Sequence, residues 1–406
     1  MTIEPILGGV CAPKGFLASG VHCGIRRNKS KLDLAMIVSK GICRVGCTFT
    51  QNKLKGAPIL VTKEHVADGT AQAIICNSGN ANTCNTNGIE IAEKMCLLAA
   101  ESLNLQPSDI IVASTGVIGR EMPIEPIASG IPLLSEGLRL DGSRDAAHGI
   151  MTTDTRAKEY AYSFKIGDKL CKIGAIAKGS GMIHPNMATM LAFLTTDVNI
   201  HQQMLQKAVS SVVDETFNMV SVDGDTSTND MLVCMANGLA ENKEISSEDE
   251  SYDQFRRALY RICEDLSKEI AADGEGAKKL LTCRVKGSCC KETAKNVAKS
   301  VITSSLFKTA MFGADANWGR ILCAIGYTEG DFDISAVGIE LTSKSGSIIV
   351  CQNGNSVAFS EEKAKKILLE DSVVITIDMK NGTEEATAWG CDLTYDYVKI
   401  NGDYRA

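Results

Sequence analysis

A threonine that could become its own base stands near the middle of the chain. In Lys178-Gly-Ser-Gly-Met-Ile-His-Pro-Asn-Met-Ala-Thr-Met-Leu191, glycines, a proline and an asparagine make residues 179–186 read as irregular. The apolar run at 187–194 that follows is interrupted only by Thr189. Ala188 is small, so the Thr189 hydroxyl can attack the Ala188 carbonyl; the shift passes through an ester, and hydrolysis leaves Thr189 as a new N-terminus. The freed α-amine, with an unperturbed pKa of about 7.7–8.0, is placed to take the proton of its own hydroxyl, as N-terminal threonine nucleophiles do. The plain alternative is a core threonine whose hydroxyl bonds to backbone.

Other polar groups could complete such a site. Thr115-Gly116 follows an apolar stretch at 109–114, and a Thr-Gly pair at a strand end can aim a hydroxyl and a peptide N–H in one direction, as an oxyanion hole requires; otherwise it is a turn. The cluster Gly149-Ile-Met-Thr-Thr-Asp-Thr155, which contains Thr152, reads on its own as a capped helix start or a Ser/Thr turn. Lys178 can pair with a carboxylate. Glu275, between Gly274 and Gly276, is either a solvated turn residue or a carboxylate that can face an ammonium.

Several chemistries lack support. Gly174-Ala-Ile-Ala-Lys-Gly179 has the glycine spacing of a phosphate loop, but Ser180 stands where its lysine should be. The run Val222-Asp-Gly-Asp-Thr-Ser-Thr-Asn-Asp230 has the polarity of a calcium loop without the closing glutamate. No C-x-x-C occurs among the 16 cysteines, which are scattered through apolar segments as small hydrophobes would be, so no metal or organic cofactor is expected.

The elements that would position these groups alternate. Residues 34–39, 44–50 and 57–61 are β-leaning, 73–76 is a short apolar strand, and spacing of Ile91, Met95, Leu98 and Ala99 predicts a helix from 88 to about 103. Strands are expected at 109–114, 159–166 and 169–177, and helices at 201–217, 252–272 and 292–306. The last eighty-odd residues read as strands and turns with one helix over 360–370. Short strands and few helices suit layered sheets better than a doubly wound parallel sheet.

With 406 residues the chain can bury a large core, and 44% hydrophobic and 22% charged residues are an ordinary globular composition. A formal net charge of −7 argues against a nucleic-acid footprint, and Arg26-Arg27-Asn28-Lys29-Ser30-Lys31 reads as a solvated loop. No stretch has the makings of a signal peptide or a membrane span, so the expected location is cytoplasmic.

The long motif around Thr189 resembles the signature of the ornithine acetyltransferase family, bifunctional glutamate N-acetyltransferases of arginine biosynthesis. Ala12-Pro-Lys-Gly-Phe16, Asp223-Gly-Asp-Thr-Ser-Thr-Asn-Asp230, Gly313-Ala-Asp-Ala-Asn-Trp-Gly-Arg320 and the closing Asn401-Gly-Asp-Tyr-Arg405 resemble it independently. Ala316 stands where proline is usual. The resemblance implies that the chain cuts itself between Ala188 and Thr189, giving an α chain of residues 1–188 and a β chain of 189–406, and that Thr189 then carries the acetyl group. It further implies that Thr115 and Gly116 hold the acetyl oxyanion, and that Thr152, Lys178, Glu275 and Asn401 contact the amino-acid substrates. The last position is usually serine or threonine; here it is Ala406, so any contact there falls to backbone or the terminal carboxylate. The expected substrates are N2-acetylornithine and glutamate, with acetyl-CoA as a further donor left open, and the expected assembly is a heterotetramer of two α and two β chains. The fold expected, partly from the resemblance, is an α/β layered sandwich of mixed sheets with outer helices and two interleaved domains. A hydrolase with the same nucleophile, releasing the acyl group to water, remains an alternative.

Overall fold

A computed structural model describes residues 2–184 and 190–403. Ala188, Thr189 and Ala406 therefore lie outside the described residues. Within them, two mixed β-sheets carry the fold, with eleven α-helices around and between them.

The longest strand, Leu34–Phe49, joins what the sequence reads as two. Its halves have different neighbours: Phe16–Val21 pairs with residues 34–39, and Met231–Ala236 with residues 44–49. On the other edge Thr70–Asn80 runs alongside, and the register shifts between Val38 and Cys43, so the exposed 40–42 turn is absorbed as an irregularity rather than a break. Thr70–Asn80 then pairs in parallel with Ile110–Val117. On the far side of Met231–Ala236 come Leu191–Thr196, Lys169–Lys178 and Lys158–Ile166, completing a nine-stranded sheet with the short edge strand Glu4–Pro5. This sheet takes strands from both sides of residue 189.

The second sheet, seven-stranded, is built entirely from residues after 189. Its centre is Leu280–Ser288, parallel to Ser372–Asp378 and antiparallel to Glu384–Cys391. Helix Glu250–Ala272 packs against strands of both sheets. It buries Phe255, Leu259, Ile262, Leu266 and Ile270 on one stripe, and the Asp249 carboxylate caps its start by accepting from Ser251 and Tyr252 N–H. One continuous apolar core therefore spans the two sheets.

The expected strand at 57–61 is a helix, Ala57–His65. Pro58 in the first turn forgoes an N–H the helix does not use, and burial of Ile59 and Val61 in two neighbouring apolar clusters outweighs their β preference. Helices are also more numerous than expected. Ile124–Glu136 hides behind Gly130 and Pro132 in sequence, and Ser143–Ile150 is short and polar at its start. Both press closely on the start of strand Leu34–Phe49: a Cβ built on Gly130 would lie 3.1 Å from Leu34 Cδ2, and one on Gly149 2.8 Å from the Leu34 carbonyl oxygen. The expected helix over 292–306 is two, Lys291–Thr303 and Ser305–Phe312, divided at Ser304, whose hydroxyl caps the second. The closing segment adds a further helix, Tyr395–Gly402, with no buried side chain.

Candidate active site

Three strand ends of the nine-stranded sheet meet at a cavity of about 290 Å³, the scale of a small-metabolite site. Its wall includes Thr115, Gly116, Thr152, Lys178, Glu275 and Asn401, six positions singled out from sequence and drawn from five separate stretches of the chain. Met190, which follows Thr189 in the chain, and Leu191 also line it.

The Thr115-Gly116 pair is set by its neighbour strand. Gly116 has φ +135°, and a Cβ there would lie 2.4 Å from the Gly79 carbonyl carbon and 2.5 Å from Asn80 N, so only glycine fits against that backbone. Asn77 accepts from the Ser114 hydroxyl at 2.5 Å and donates to the Asn80 carbonyl at 3.0 Å, locking the polar ends of both strands. Asn229 donates to the Ser114 carbonyl at 3.0 Å and to the Ala81 carbonyl at 2.6 Å. Thr115 Oγ1 accepts a hydrogen bond from Lys178 Nζ at 3.2 Å, which leaves its own proton free to be donated into the cavity.

Lys178 is the only cation among the described residues lining the cavity, and it is 8% exposed. Burial pushes its ammonium below the ordinary lysine value, while the nearby carboxylates of Asp154 and Asp230 push the other way. The acids of the wall are Asp230 and Glu275. Glu275 is held at both ends: its N–H donates to the Ser180 carbonyl at 3.0 Å, and its carboxylate accepts from Asn401 Nδ2 at 2.7 Å. Gly181 lets that carboxylate come close, since a Cβ there would lie 2.4 Å from it. A buried cation and a carboxylate on one small wall are the complement of an amino acid's carboxylate and ammonium.

The polar run 222–230 has a defined task. Asp223 accepts from the N–H groups of Met182 and Ile183 at 2.7 and 2.9 Å, and the Thr226 hydroxyl donates to the His184 carbonyl at 2.7 Å. Met231 N–H donates to the Met190 carbonyl at 2.9 Å. The run and the first residue of the strand after it thus hold the chain on both sides of residues 185–189. Burial beside Lys299 pushes His184 down to about 4, so its imidazole is neutral at ordinary pH.

Sequence reasoning missed Asp154, Lys158 and Asp273, charged residues that in one dimension look like solvated loop. Lys158, 0% exposed at its side chain, bonds Asp154 at 2.7 Å and Asp273 at 2.6 Å. The one available signal was the four-residue interval between Asp154 and Lys158. The motif at 313–320 does not line the cavity: Asn317 caps helix Trp318–Gly326, and Arg320 donates to the Leu306 carbonyl at 2.7 Å. Among the described residues no cluster of three or more His, Cys, Asp or Glu could hold a metal ion, and no helix is long and apolar enough to cross a membrane.

A family model described as the ArgJ family matches residues 17–406. The Arginine biosynthesis bifunctional protein ArgJ of Caldanaerobacter subterraneus subsp. tengcongensis is 48% identical over 404 residues, covering 99% of this chain and 100% of that protein. The protein of the same name from Bacillus subtilis is 45% identical over 405 residues, covering 99% and 98%. A crystal structure titled Arginine biosynthesis bifunctional protein argJ, from Bacillus halodurans, is 48% identical with a TM-score of 0.50, and the match covers 52% of this chain and 98% of that one.

Proposed function

The chain belongs to the ArgJ family, and on that premise we propose that it is an acyltransferase of arginine biosynthesis, moving acetyl from N2-acetylornithine to glutamate through an acetyl-threonine at Thr189. The observation that carries the reading is the convergence of Thr115, Gly116, Thr152, Lys178, Glu275 and Asn401 on one cavity whose wall includes the residue after Thr189.

In this reading the gripped segment first matures. The Thr189 hydroxyl attacks the Ala188 carbonyl, the peptide nitrogen leaves as the Thr189 amine, and water hydrolyses the resulting ester. The α and β chains stay together because strands from both sides of the cut are paired in one sheet, Lys169–Lys178 with Leu191–Thr196. A chain cut near its middle also accounts for the crystallised relative, nearly all of which is matched by about half of this chain.

The free Thr189 amine then takes the hydroxyl proton, and Oγ adds to the acetyl carbonyl of N2-acetylornithine. Thr115 and the Gly116 N–H hold the oxyanion. Collapse expels the α-amine of ornithine, which takes the proton. Glutamate enters, its amine attacks the acetyl-threonine, and N-acetylglutamate leaves with the Thr189 hydroxyl restored. Both amino acids carry an α-carboxylate, so Lys178 serves each in turn, while Glu275, steadied by Asn401, faces the side-chain ammonium of the acetylornithine. The relatives' names carry the word bifunctional, and the reading extends to acetyl-CoA as a second donor to glutamate.

Intact mass and N-terminal sequencing of wild type beside Thr189→Ala test it. The expected wild-type products are fragments of about 20 and about 23 kDa in proportion to their lengths, the second beginning Thr-Met-Leu, with an uncut and inactive variant. Acetate released without glutamate as fast as N-acetylglutamate forms with it would replace the transferase by the hydrolase.

A further inference from the structure

The buried ion trio behind the cavity has no part in the chemistry above. Asp154 Oδ1 accepts from Gly179 N–H at 2.8 Å, the residue next to Lys178, and Asp154 Oδ2 accepts from Thr152 N–H at 2.9 Å. Asp273 accepts from Thr155 N–H at 3.1 Å, and its carbonyl accepts from the Ser180 hydroxyl at 2.7 Å, two residues before Glu275. Lys158 bridges the two carboxylates with no exposure to water. Three chain segments, which carry the cavity residues Thr152, Lys178 and Glu275, are therefore tied to one buried ammonium.

We propose that Asp154, Lys158 and Asp273 are the positioning residues of this site. Lys158 fixes the carboxylates that set the segments of Thr152, Lys178 and Glu275, and the Asp154 charge keeps the Lys178 ammonium able to bind a substrate carboxylate. The inference rests on the reading of Lys178 as the carboxylate subsite.

The charge balance around Lys178 supports it. The groups that face Lys178 are Asp154 from the loop after helix Ser143–Ile150, Asp230 from the polar run, Lys158 from its own strand, the Cys76 thiol from Thr70–Asn80, and the Thr115 hydroxyl. Burial disfavours the lysine's charge most, and Asp154 is the first group opposing it. Asp154 is itself dependably anionic: burial alone would raise it, but Lys158 and Lys178 with the N–H donors hold it at about 2. A buried charged trio is seldom a net gain over apolar packing, so its retention beneath a site suggests positioning work rather than stability.

Carboxylate binding needs the Lys178 ammonium, which is present below the folded pKa and lost as pH rises through it. Removing the Asp154 charge lowers that pKa further, so binding fails at lower pH. Glutamate affinity measured calorimetrically against pH reads this without turnover, and the substrate's own amine titrates alike in every variant.

The expected result for Asp154→Asn is an alkaline loss of affinity moved down by about one pH unit or more. Asp273→Asn, which leaves Asp154 charged, moves it less. Lys158→Arg keeps the wild-type profile. If Lys158→Met fails to fold, Asp154→Asn carries the test alone. An Asp154→Asn profile parallel to wild type, weaker by one factor at every pH, would overturn the proposal, as would a wild type that binds no glutamate. Acetyl transfer assayed on the same samples separates the two ideas. Wild type without transfer but with the Asp154→Asn shift sinks the acetyltransferase reading alone; transfer with an unshifted profile sinks the positioning role alone.

Discussion

The two sheets contribute to the cavity by different means. The nine-stranded sheet delivers wall residues straight from its strands: Thr115, Gly116 and Val117 from Ile110–Val117, Lys178 from the end of Lys169–Lys178, and Leu191 from the start of the next strand. The seven-stranded sheet delivers none. It acts through the segments it anchors, Glu275 shortly before Leu280–Ser288 and Asn401 after Glu384–Cys391. The groups proposed to meet the developing charge, Thr115 and Gly116, are thus set by strand register, which cannot drift by less than a residue. The groups proposed to recognise a side chain sit outside the sheets, Glu275 in a turn and Asn401 on helix Tyr395–Gly402, where length and sequence can be adjusted without disturbing a strand.

If that division is right, the largest loss comes from the strand-borne groups. Thr115→Val should lower kcat by about 10²–10³ with little change in KM, since the hydroxyl acts only on the oxyanion; steady-state kinetics with N2-acetylornithine reads it, and a pure KM effect would place Thr115 in substrate binding instead. Next comes Lys178→Met, for which KM of both glutamate and acetylornithine should rise about 10–100-fold, the worth of one charge-assisted hydrogen bond. A rise for only one substrate would divide the carboxylate subsite in two.

The groups outside the sheets should matter less and more selectively. Asn401→Ala removes a single 2.7 Å bond to Glu275, so KM for acetylornithine should rise roughly 3–10-fold while that for glutamate, which lacks a side-chain ammonium, stays near wild type. The smallest catalytic effect belongs to the interior of the second sheet. Leu281→Ala, at a fully buried position, should cost about 2–5 kcal/mol in urea unfolding, yet leave kcat/KM within about twofold of wild type. A large catalytic loss there, in protein still fully folded, would mean the second sheet transmits strain to the cavity and the contrast drawn here is wrong.

Much of the site was readable because its groups fall in runs whose composition has no place in an ordinary core or surface: glycine beside threonine at a strand end, glycines around a glutamate, a threonine inside an apolar stretch. Most long helices were equally legible, since a stripe such as Phe255, Leu259, Ile262 and Leu266 announces its period. Helix Ala57–His65 was not, because a short segment of β-branched residues buried on opposite sides looks alike in a helix and in a strand until the neighbours are known. The sequence by itself determined which chemical groups are available, the expected point of self-cleavage, and the family to which the chain belongs. Only the tertiary structure decided that Lys158 is a buried bridge and not a solvated cation, that Lys178 meets the Thr115 hydroxyl across 63 residues of chain, and that the run 222–230 holds residues 182–184 while Met231 just after it holds Met190. The physical reason is that desolvation and ion pairing depend on what surrounds a charge in space, and sequence order carries almost none of that information.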